Sequence, residues 1–167
     1  AAPINVMMAP DVMADALIRV DARLAIVDHA LWGRLAESIS PLGIKPILSI
    51  GAGPDDAIAS FERFIAAHGD GEPDVRIHGD DIWEILFTSG TTASPKAVMV
   101  SHTYTTMAAY SHMLTMTRGL DHESEICLAA FTPMVYHISD HLCVFGPLVC
   151  GGTAVIGRKP DGHAVAS

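Results

Sequence analysis

The chain has 167 residues, a net charge of −9 and a mean hydropathy of +0.34, with 50% hydrophobic and 17% charged residues. The negative charge argues against a nucleic-acid partner and an anionic membrane surface, because both require a basic face. The most apolar region, Ile126 to Ile156, is interrupted by polar residues, glycine and proline, so it contains no run of about 20 apolar residues that could span a membrane.

Charged residues are scarce compared with the roughly 25% that is usual in soluble domains, which indicates a surface covered by further protein. The chain also begins at Ala1 rather than methionine and ends in "DGHAVAS". We therefore expect a fragment of a longer protein. Cys127, Cys143 and Cys150 form no CxxC pair and are typical of core residues in a reducing compartment. With no visible signal peptide, we expect a cytoplasmic location.

In the first half of the chain, short apolar runs alternate with helical patterns. Strands are predicted at Pro3 to Val6, Arg23 to Asp28 and Lys45 to Ile50. One helix is predicted from an N-cap at Asp11 to about Val20, and a second from Leu31 to Ser38. A third is predicted after "GAGPDD", because Ile58, Phe61 and Ile65 recur at helical spacing and Gly69 can end the helix.

The second half follows a polar, linker-like segment, Gly69 to Asp74. Strands are predicted at Ile82 to Phe87, Lys96 to Ser101, Glu125 to Phe131 and Thr153 to Gly157, and helices at about His102 to Arg118 and His137 to Gly151. Alternating strands and helices predict an α/β fold with a largely parallel sheet and helices on both faces, because parallel strands need crossover connections.

A loop rich in hydroxyl groups, "FTSGTTASPK" from Phe87 to Lys96, follows the strand "IWEILF". Ligands of open α/β sheets bind beyond the carboxyl ends of strands, which is where this loop begins. Its hydroxyl and backbone N–H groups can donate to phosphate oxygens, and Lys96 adds a positive charge. The loop is not the GxxxxGK[ST] phosphate loop, because Pro95 stands where that motif has glycine and Ala97 where it has Ser or Thr. Ser89 is not the nucleophile of a G-x-S-x-G motif, because the glycine two positions before the serine is missing.

The longer segment "FTSGTTASPKAVMVSH" closely resembles the phosphate-loop signature of the adenylate-forming (AMP-binding) enzymes, loosely [YF]-T-S-G-T-T-G-x-P-K-G-V. This superfamily includes acyl-CoA synthetases, firefly luciferases and peptide-synthetase adenylation domains. "TPMVYHISDHLCVFGPLVCGGTAVI" and "APINVMMAPDVMADALIRVDARLAIVD" resemble other segments of the same family. The resemblance implies part of a large N-terminal domain of acyl-CoA synthetase type. In this interpretation 1–70 is the upstream βα region and 80–157 the phosphate-loop and acyl-pocket region, with no C-terminal domain in 1–167.

The resemblance also implies a function, an ATP-dependent carboxylate–CoA ligase that activates a fatty or other organic acid as its acyl-adenylate. Its small-molecule partners would be the acid, Mg2+-ATP and coenzyme A. The residues that would hold the β- and γ-phosphates are Thr88, Ser89, Gly90, Thr91, Thr92 and Lys96. His137 would lie near the carboxylate and the α-phosphate, shaping the acyl pocket or neutralising charge. The family's adenine, ribose, magnesium and C-terminal lysine residues lie downstream, so we expect the fragment alone to be inactive and to self-associate.

Three positions depart from the family pattern, since Ala93, Ala97 and Asp140 stand where glycine is usual. Asp140 would put a carboxylate near the acyl entrance. His137, Asp140 and His141 also form an H-x-x-D-H pattern that could bind metal from one helix, but no further ligand is evident and no metal ligand is assigned. A plain histidine at a helix start is the rival interpretation of His137. A non-catalytic nucleotide-binding homologue and an adenylation domain of another branch remain alternatives.

Overall fold

The computed structural model describes residues 1–88 and 95–157. The chain divides into two compact units, Asn5–Val75 and a second one made of Ala1–Ile4 with the chain from Arg76 onward. The division follows closely on the segment Gly69 to Asp74, in which no helix or strand forms.

The unit Asn5–Val75 is built on a three-stranded sheet in the order β1-β2-β3, and both strand pairings are parallel. Its elements are α1 (Pro10–Arg19), β1 (Ala25–Asp28), α2 (His29–Ile39), a 3-10 turn (Ser40–Leu42), β2 (Ile47–Ile50), β3 (Ala59–Ser60) and α3 (Phe61–Ala66). Helix α2 makes the crossover between β1 and β2 that parallel pairing requires. Its first turn is capped by Asp28 Oδ1, which accepts a hydrogen bond of 2.8 Å from the Ala30 N–H. Leu48, at the centre of β2, is almost completely buried.

In its described residues, the second unit carries four strands in two separate pairs. Its elements are β4 (Ile82–Phe87), β5 (Ala97–Ser101), α4 (His102–Met116), a 3-10 turn (Glu123–Glu125), β6 (Cys127–Ala130), a π-helix (Ile138–Phe145), α5 (Gly146–Val149) and β7 (Thr153–Ile156). Strands β6 and β7 pair in parallel, whereas β4 and β5 form an antiparallel hairpin. The hairpin places both ends of the hydroxyl-rich loop side by side.

The core of this unit forms where α4 packs against the π-helix and α5. The buried residues of α4 are Thr105, Ala109 and Met113, which recur every four residues and so lie on one face. Met113 is fully buried, and the ring of Trp83 meets Phe145 edge to face at 5.5 Å. This packing fixes the π-helix, and with it the residues 138–145, against strand β4.

The α/β class expected from the sequence is confirmed. Among the described residues, three of the four strand pairings are parallel and one is antiparallel. The strand predicted at Ile82 to Phe87 has those bounds in the structure. No helix within 1–88 or 95–157 combines the length and the apolar character that a membrane span needs.

Several local predictions were wrong. No strand forms at Pro3 to Val6. Asp11 does not cap α1, because Pro10 begins that helix and Ala9 is its N-cap residue without a side-chain hydrogen bond. Proline suits the first helical position because the N–H that it lacks has no partner there.

The helix predicted after "GAGPDD" begins only at Phe61 and ends at Ala66, well before Gly69. Ser60 caps it, and Ile58 lies outside it. The helix predicted at His137 to Gly151 is a π-helix followed by a short α-helix. The cysteines are free but are not core residues, since Cys127 is exposed and the other two are half-buried.

The N-cap of α4 provides a test of this local structure. Ser101 Oγ accepts a hydrogen bond of 3.2 Å from the Tyr104 N–H. We expect Ser101→Ala to lower the free energy of unfolding by about 1 kcal/mol, because one N–H of the first turn loses its acceptor. Urea unfolding of the protein is the measurement. Thr106→Ala on the exposed face of α4 is the control and should change stability by less than about 0.5 kcal/mol; equal losses would show that Ser101 is not a significant cap.

Candidate functional site

The two ends of the hydroxyl-rich loop are joined by two hydrogen bonds. The Thr88 N–H donates to the carbonyl oxygen of Lys96 at 2.9 Å, and the Lys96 N–H donates to Thr88 Oγ1 at 3.2 Å. The pair continues the hairpin register, in which Phe87 faces Ala97. Both side chains are exposed. Among the sequence-predicted phosphate ligands, Ser89, Gly90, Thr91 and Thr92 lie outside the described residues, as does Ala93.

A cavity of about 520 Å3 lies beside this end of the hairpin. Most of its lining is apolar, and its polar groups come from Thr88, Tyr104, Tyr136 and His137. The apolar lining residues are Leu86, Phe87, Val98, Met99, Val100 and Val135. The structure thus brings two sequence-predicted residues, Thr88 and His137, to one cavity, although 49 positions separate them in the chain (137 − 88 = 49).

His137 is the residue before the π-helix, and its ring lies 4.0 Å from the His141 ring between centroids, with 36° between the planes. Its Nδ1 atom is buried and has no hydrogen-bond partner among the described residues. Burial lowers the pKa of His137, the neighbouring His141 lowers it further, and Asp140 opposes this effect. These effects favour the neutral imidazole, which is better suited to shaping a pocket than to neutralising charge.

Behind His137 lies a buried group of side chains that we call the inner cluster: Glu84, His137, Asp140 and His141. Glu84, Asp140 and His141 are only 7%, 3% and 0% exposed. The Nδ1 atom of His141 lies 2.8 Å from Asp140 Oδ1 and 4.0 Å from Glu84 Oε2. On the other side of the ring, His141 Nε2 forms a hydrogen bond of 3.0 Å with Thr105 Oγ1.

The two carboxyl groups of the inner cluster affect each other. Burial is the largest cause that raises the pKa of Glu84 to about 7, and the neighbouring carboxyl group of Asp140, which can form a hydrogen bond with Glu84 only when one of the two carries a proton, raises it further. Glu84 Oε2 and Asp140 Oδ2 are both buried without a hydrogen-bond partner in the described part of the chain. Two carboxylates in such a place are unfavourable unless a proton or a cation lies between them.

Sequence reasoning missed Glu84, which it included in an apolar strand, and placed Asp140 near an acyl entrance. The structure instead buries Asp140 against His141, and Asp140 does not line the 520 Å3 cavity. A glutamate in the middle of "IWEILF" was the available signal, since a buried strand rarely holds a carboxylate without a partner.

The model of the family described as "AMP-binding enzyme" matches residues 1–166. The chain belongs to the AMP-binding enzyme family. It is 37% identical over 84 residues to tyrocidine synthase 3 of Brevibacillus parabrevis, which is 50% of this chain and 1% of that protein. It is 24% identical over 140 residues to 4-coumarate–CoA ligase 3 of Oryza sativa subsp. japonica, covering 84% of this chain and 25% of the relative.

Solved structures share the fold of this chain. The anthranilate CoA ligase AuaEII, in complex with anthranoyl-AMP, superposes with a TM-score of 0.82 at 22% identity. That match covers 94% of this chain and 30% of the ligase. The chain therefore spans between a quarter and a third of the length of these two CoA ligases. Its fold is that of the N-terminal domain of adenylate-forming enzymes.

Proposed function

We propose that the chain is the phosphate-binding and acyl-pocket part of an ATP-dependent carboxylate–CoA ligase. The carboxylate of a fatty or other organic acid attacks the α-phosphate of Mg2+-ATP, forming an acyl-adenylate and releasing pyrophosphate. The thiolate of coenzyme A then attacks the acyl carbon, a thioester forms, and AMP leaves. Such a reaction is accelerated by positioning the groups and by stabilising the charge that develops on the phosphates.

The observation that carries this proposal is the shared cavity of Thr88 and His137. An acid with an apolar body needs an apolar pocket, and its activation requires the triphosphate to reach the same place. A volume of about 520 Å3 is within the range of small-molecule sites, about 300–1,000 Å3. The cavity meets both needs, because its walls are mainly apolar and one of its edges is the start of the hydroxyl-rich loop.

In this proposal Thr88, Ser89, Gly90, Thr91, Thr92 and Lys96 hold the β- and γ-phosphates. His137 shapes the pocket as a neutral imidazole and can exchange a hydrogen bond with the acid. None of the described residues that line the cavity is acidic. Within this lining, the Mg2+ ion would therefore be held only by the phosphates of the ATP with which it binds. The ion would supply charge neutralisation on those phosphates, and Lys96 would add to it.

We also propose an organisation for the whole protein. Residues 1–70 and 80–157 would be the upstream βα region and the phosphate-loop and acyl-pocket region of a larger cytoplasmic enzyme with a separate C-terminal domain. The exposed apolar residues near the cavity, among them Val98 and Met99, support the proposal that the isolated chain self-associates. Analytical ultracentrifugation of the isolated chain over a range of concentrations tests this.

The activity is tested with the full-length protein. Incubation with Mg2+-ATP, coenzyme A and a panel of fatty and aromatic acids should release AMP and form a CoA thioester only when all three substrates are present. Each substrate is omitted in turn as the control. ATP binding without acid-dependent pyrophosphate release would contradict the proposal and favour a non-catalytic nucleotide-binding homologue.

A second candidate is an adenylation domain of another branch, which the similarity to tyrocidine synthase 3 supports. Such a domain would catalyse acid-dependent exchange of pyrophosphate into ATP but form no thioester with coenzyme A. The same panel therefore separates the two candidates.

The isolated 167-residue chain is expected to release no AMP above background in this assay. It covers a quarter of the 4-coumarate–CoA ligase that it resembles, and groups of a catalytic constellation work only when the others fix the geometry. Turnover comparable to that of the full-length protein would contradict this expectation.

A further inference from the structure

Among the described residues, three buried atoms of the inner cluster lack a hydrogen-bond partner. They are Glu84 Oε2, His137 Nδ1 and Asp140 Oδ2. Buried polar groups in native proteins are nearly always hydrogen-bonded. Three unpaired polar atoms in one cluster therefore suggest that a group absent from the chain itself binds them. The sequence offered only the H-x-x-D-H pattern, and the structure adds Glu84 from strand β4, whose Oε2 atom lies 4.0 Å from His141 Nδ1.

A proton shared by the two carboxyl groups would account for only part of this arrangement. It would satisfy Glu84 and Asp140, but it would leave His137 Nδ1 buried without a partner. A bound cation would give all three atoms a partner, because carboxylate oxygens and a neutral imidazole nitrogen each offer it a lone pair. It also compensates the two negative charges that burial makes unfavourable.

The distances fit a small ion. The candidate ligand atoms of His137, Asp140 and His141 lie within 4.8 Å of one another. Ligands in a tetrahedral zinc site stand about 3.4 Å apart, so the most widely separated pair would have to approach by about 1.4 Å through side-chain rotation. Asp140 Oδ1 and His141 Nδ1 are hydrogen-bonded at 2.8 Å and would have to separate by about 0.6 Å, whereas Glu84 Oε2 lies 4.0 Å from the same nitrogen.

The surroundings also match a metal site. A ligating histidine almost always forms a hydrogen bond through its other ring nitrogen, which fixes the tautomer and the ring orientation. His141 Nε2 has such a partner in Thr105 Oγ1 at 3.0 Å, which leaves Nδ1 facing the cluster. Two imidazoles favour a first-row transition metal over Mg2+ or Ca2+, which prefer oxygen ligands throughout.

We propose that Glu84, His137, Asp140 and His141 form a site for one divalent transition-metal ion, with Zn2+ as the best match. This site is separate from the Mg2+ ion that accompanies ATP. Because His137 also lines the 520 Å3 cavity, the ion would hold that ring in place and thereby support the wall of the cavity.

The test uses untagged full-length protein that has been treated with a chelator and then freed of it. Titration with Co2+ should give the visible absorption bands of a tetrahedral site with an end point at one ion per chain, and Zn2+ should displace the Co2+ and abolish the bands. His141→Gln and Glu84→Gln should each weaken Zn2+ binding by about 100-fold. Thr105→Val, which removes no ligand, should weaken it by about 10-fold and keeps the test valid if a ligand variant fails to fold.

Two exposed residues of the same unit provide matched controls, since His122→Gln and Asp121→Asn remove the same chemical groups outside the cluster. Both should bind Zn2+ with unchanged affinity. Zn2+ should raise the Tm of the chelator-treated wild type and of both controls but not that of His141→Gln. Absence of the tetrahedral bands, or equal loss of binding in the controls and the cluster variants, would overturn the proposal and leave a carboxyl pair that shares a proton.

Discussion

Replacement of Lys96 by alanine in the full-length protein is expected to lower the rate of acid-dependent ATP–pyrophosphate exchange by about 100-fold. Lys96 carries the only charge in the segment Phe87 to Lys96, so the leaving pyrophosphate would lose its one side-chain cation there. The two hydrogen bonds that join Thr88 and Lys96 use the backbone of Lys96 and not its ammonium group. The geometry of the hairpin end should therefore survive, and the loss should reflect charge.

Lys45→Ala is the matched control, because Lys45 is an exposed lysine in the other unit, two residues before β2. Its exchange rate should remain within about twofold of the wild type. Similar losses in the two variants would mean that the hydroxyl-rich loop does not hold the phosphates. A loss in Lys96→Ala that disappears at saturating ATP would assign Lys96 to substrate binding rather than to the charge that develops during the reaction.

Gly152→Ala is expected to lower the free energy of unfolding by about 3 kcal/mol, a large effect for a single methyl group. A Cβ at position 152 would lie 2.5 Å from the Ile126 carbonyl oxygen and would also meet the Ile126 side chain. That oxygen accepts the Thr153 N–H at 2.9 Å, where β7 begins its pairing with β6. Backbone cannot move aside as a flexible side chain can, so the strain falls on the strand pairing itself.

The neighbouring glycine separates this crowding from a purely conformational effect. Gly151 has a φ of +74°, and the nearest atom to an added Cβ, in Ser124, is 3.8 Å away. Gly151→Ala should cost only about 1 kcal/mol, through the left-handed backbone. Urea unfolding of both variants in the full-length protein is the measurement. A smaller loss for Gly152→Ala than for Gly151→Ala would show that the β6–β7 contact relaxes.

Local sequence patterns predicted the elements of the fold better than their pairing. Strand β4 was predicted with its observed bounds, because an apolar run bounded by turn residues is a local signal. The antiparallel pairing of β4 with β5 was not predicted, since pairing depends on residues that are distant in the sequence. The π-helix at Ile138–Phe145 was expected as part of an α-helix, because the apolar pattern does not separate the two hydrogen-bonding schemes.

The candidate site shows the same division. The loop from Thr88 to Lys96 is contiguous, so its composition and its resemblance to a family signature were enough to predict a phosphate site there. The inner cluster joins Glu84 to residues more than 50 positions later in the chain, and its chemistry depends on burial. The position of Glu84 in the sequence indicates neither its burial nor its contact with residues 137–141. The partners of Glu84 were therefore found only in the structure.

Strand β4 places Glu84 in the inner cluster, and Thr88, four residues later and directly after the strand, lines the cavity. If residues 82–101 alone were exchanged for the hairpin of a relative that lacks this glutamate, Asp140 and His141 would lose Glu84 as their partner. Removing one member of a buried charged group costs about 3–5 kcal/mol, enough to unfold many domains. The hairpin is therefore not an independent module, and a workable chimera must transfer Ile138–Phe145 together with it.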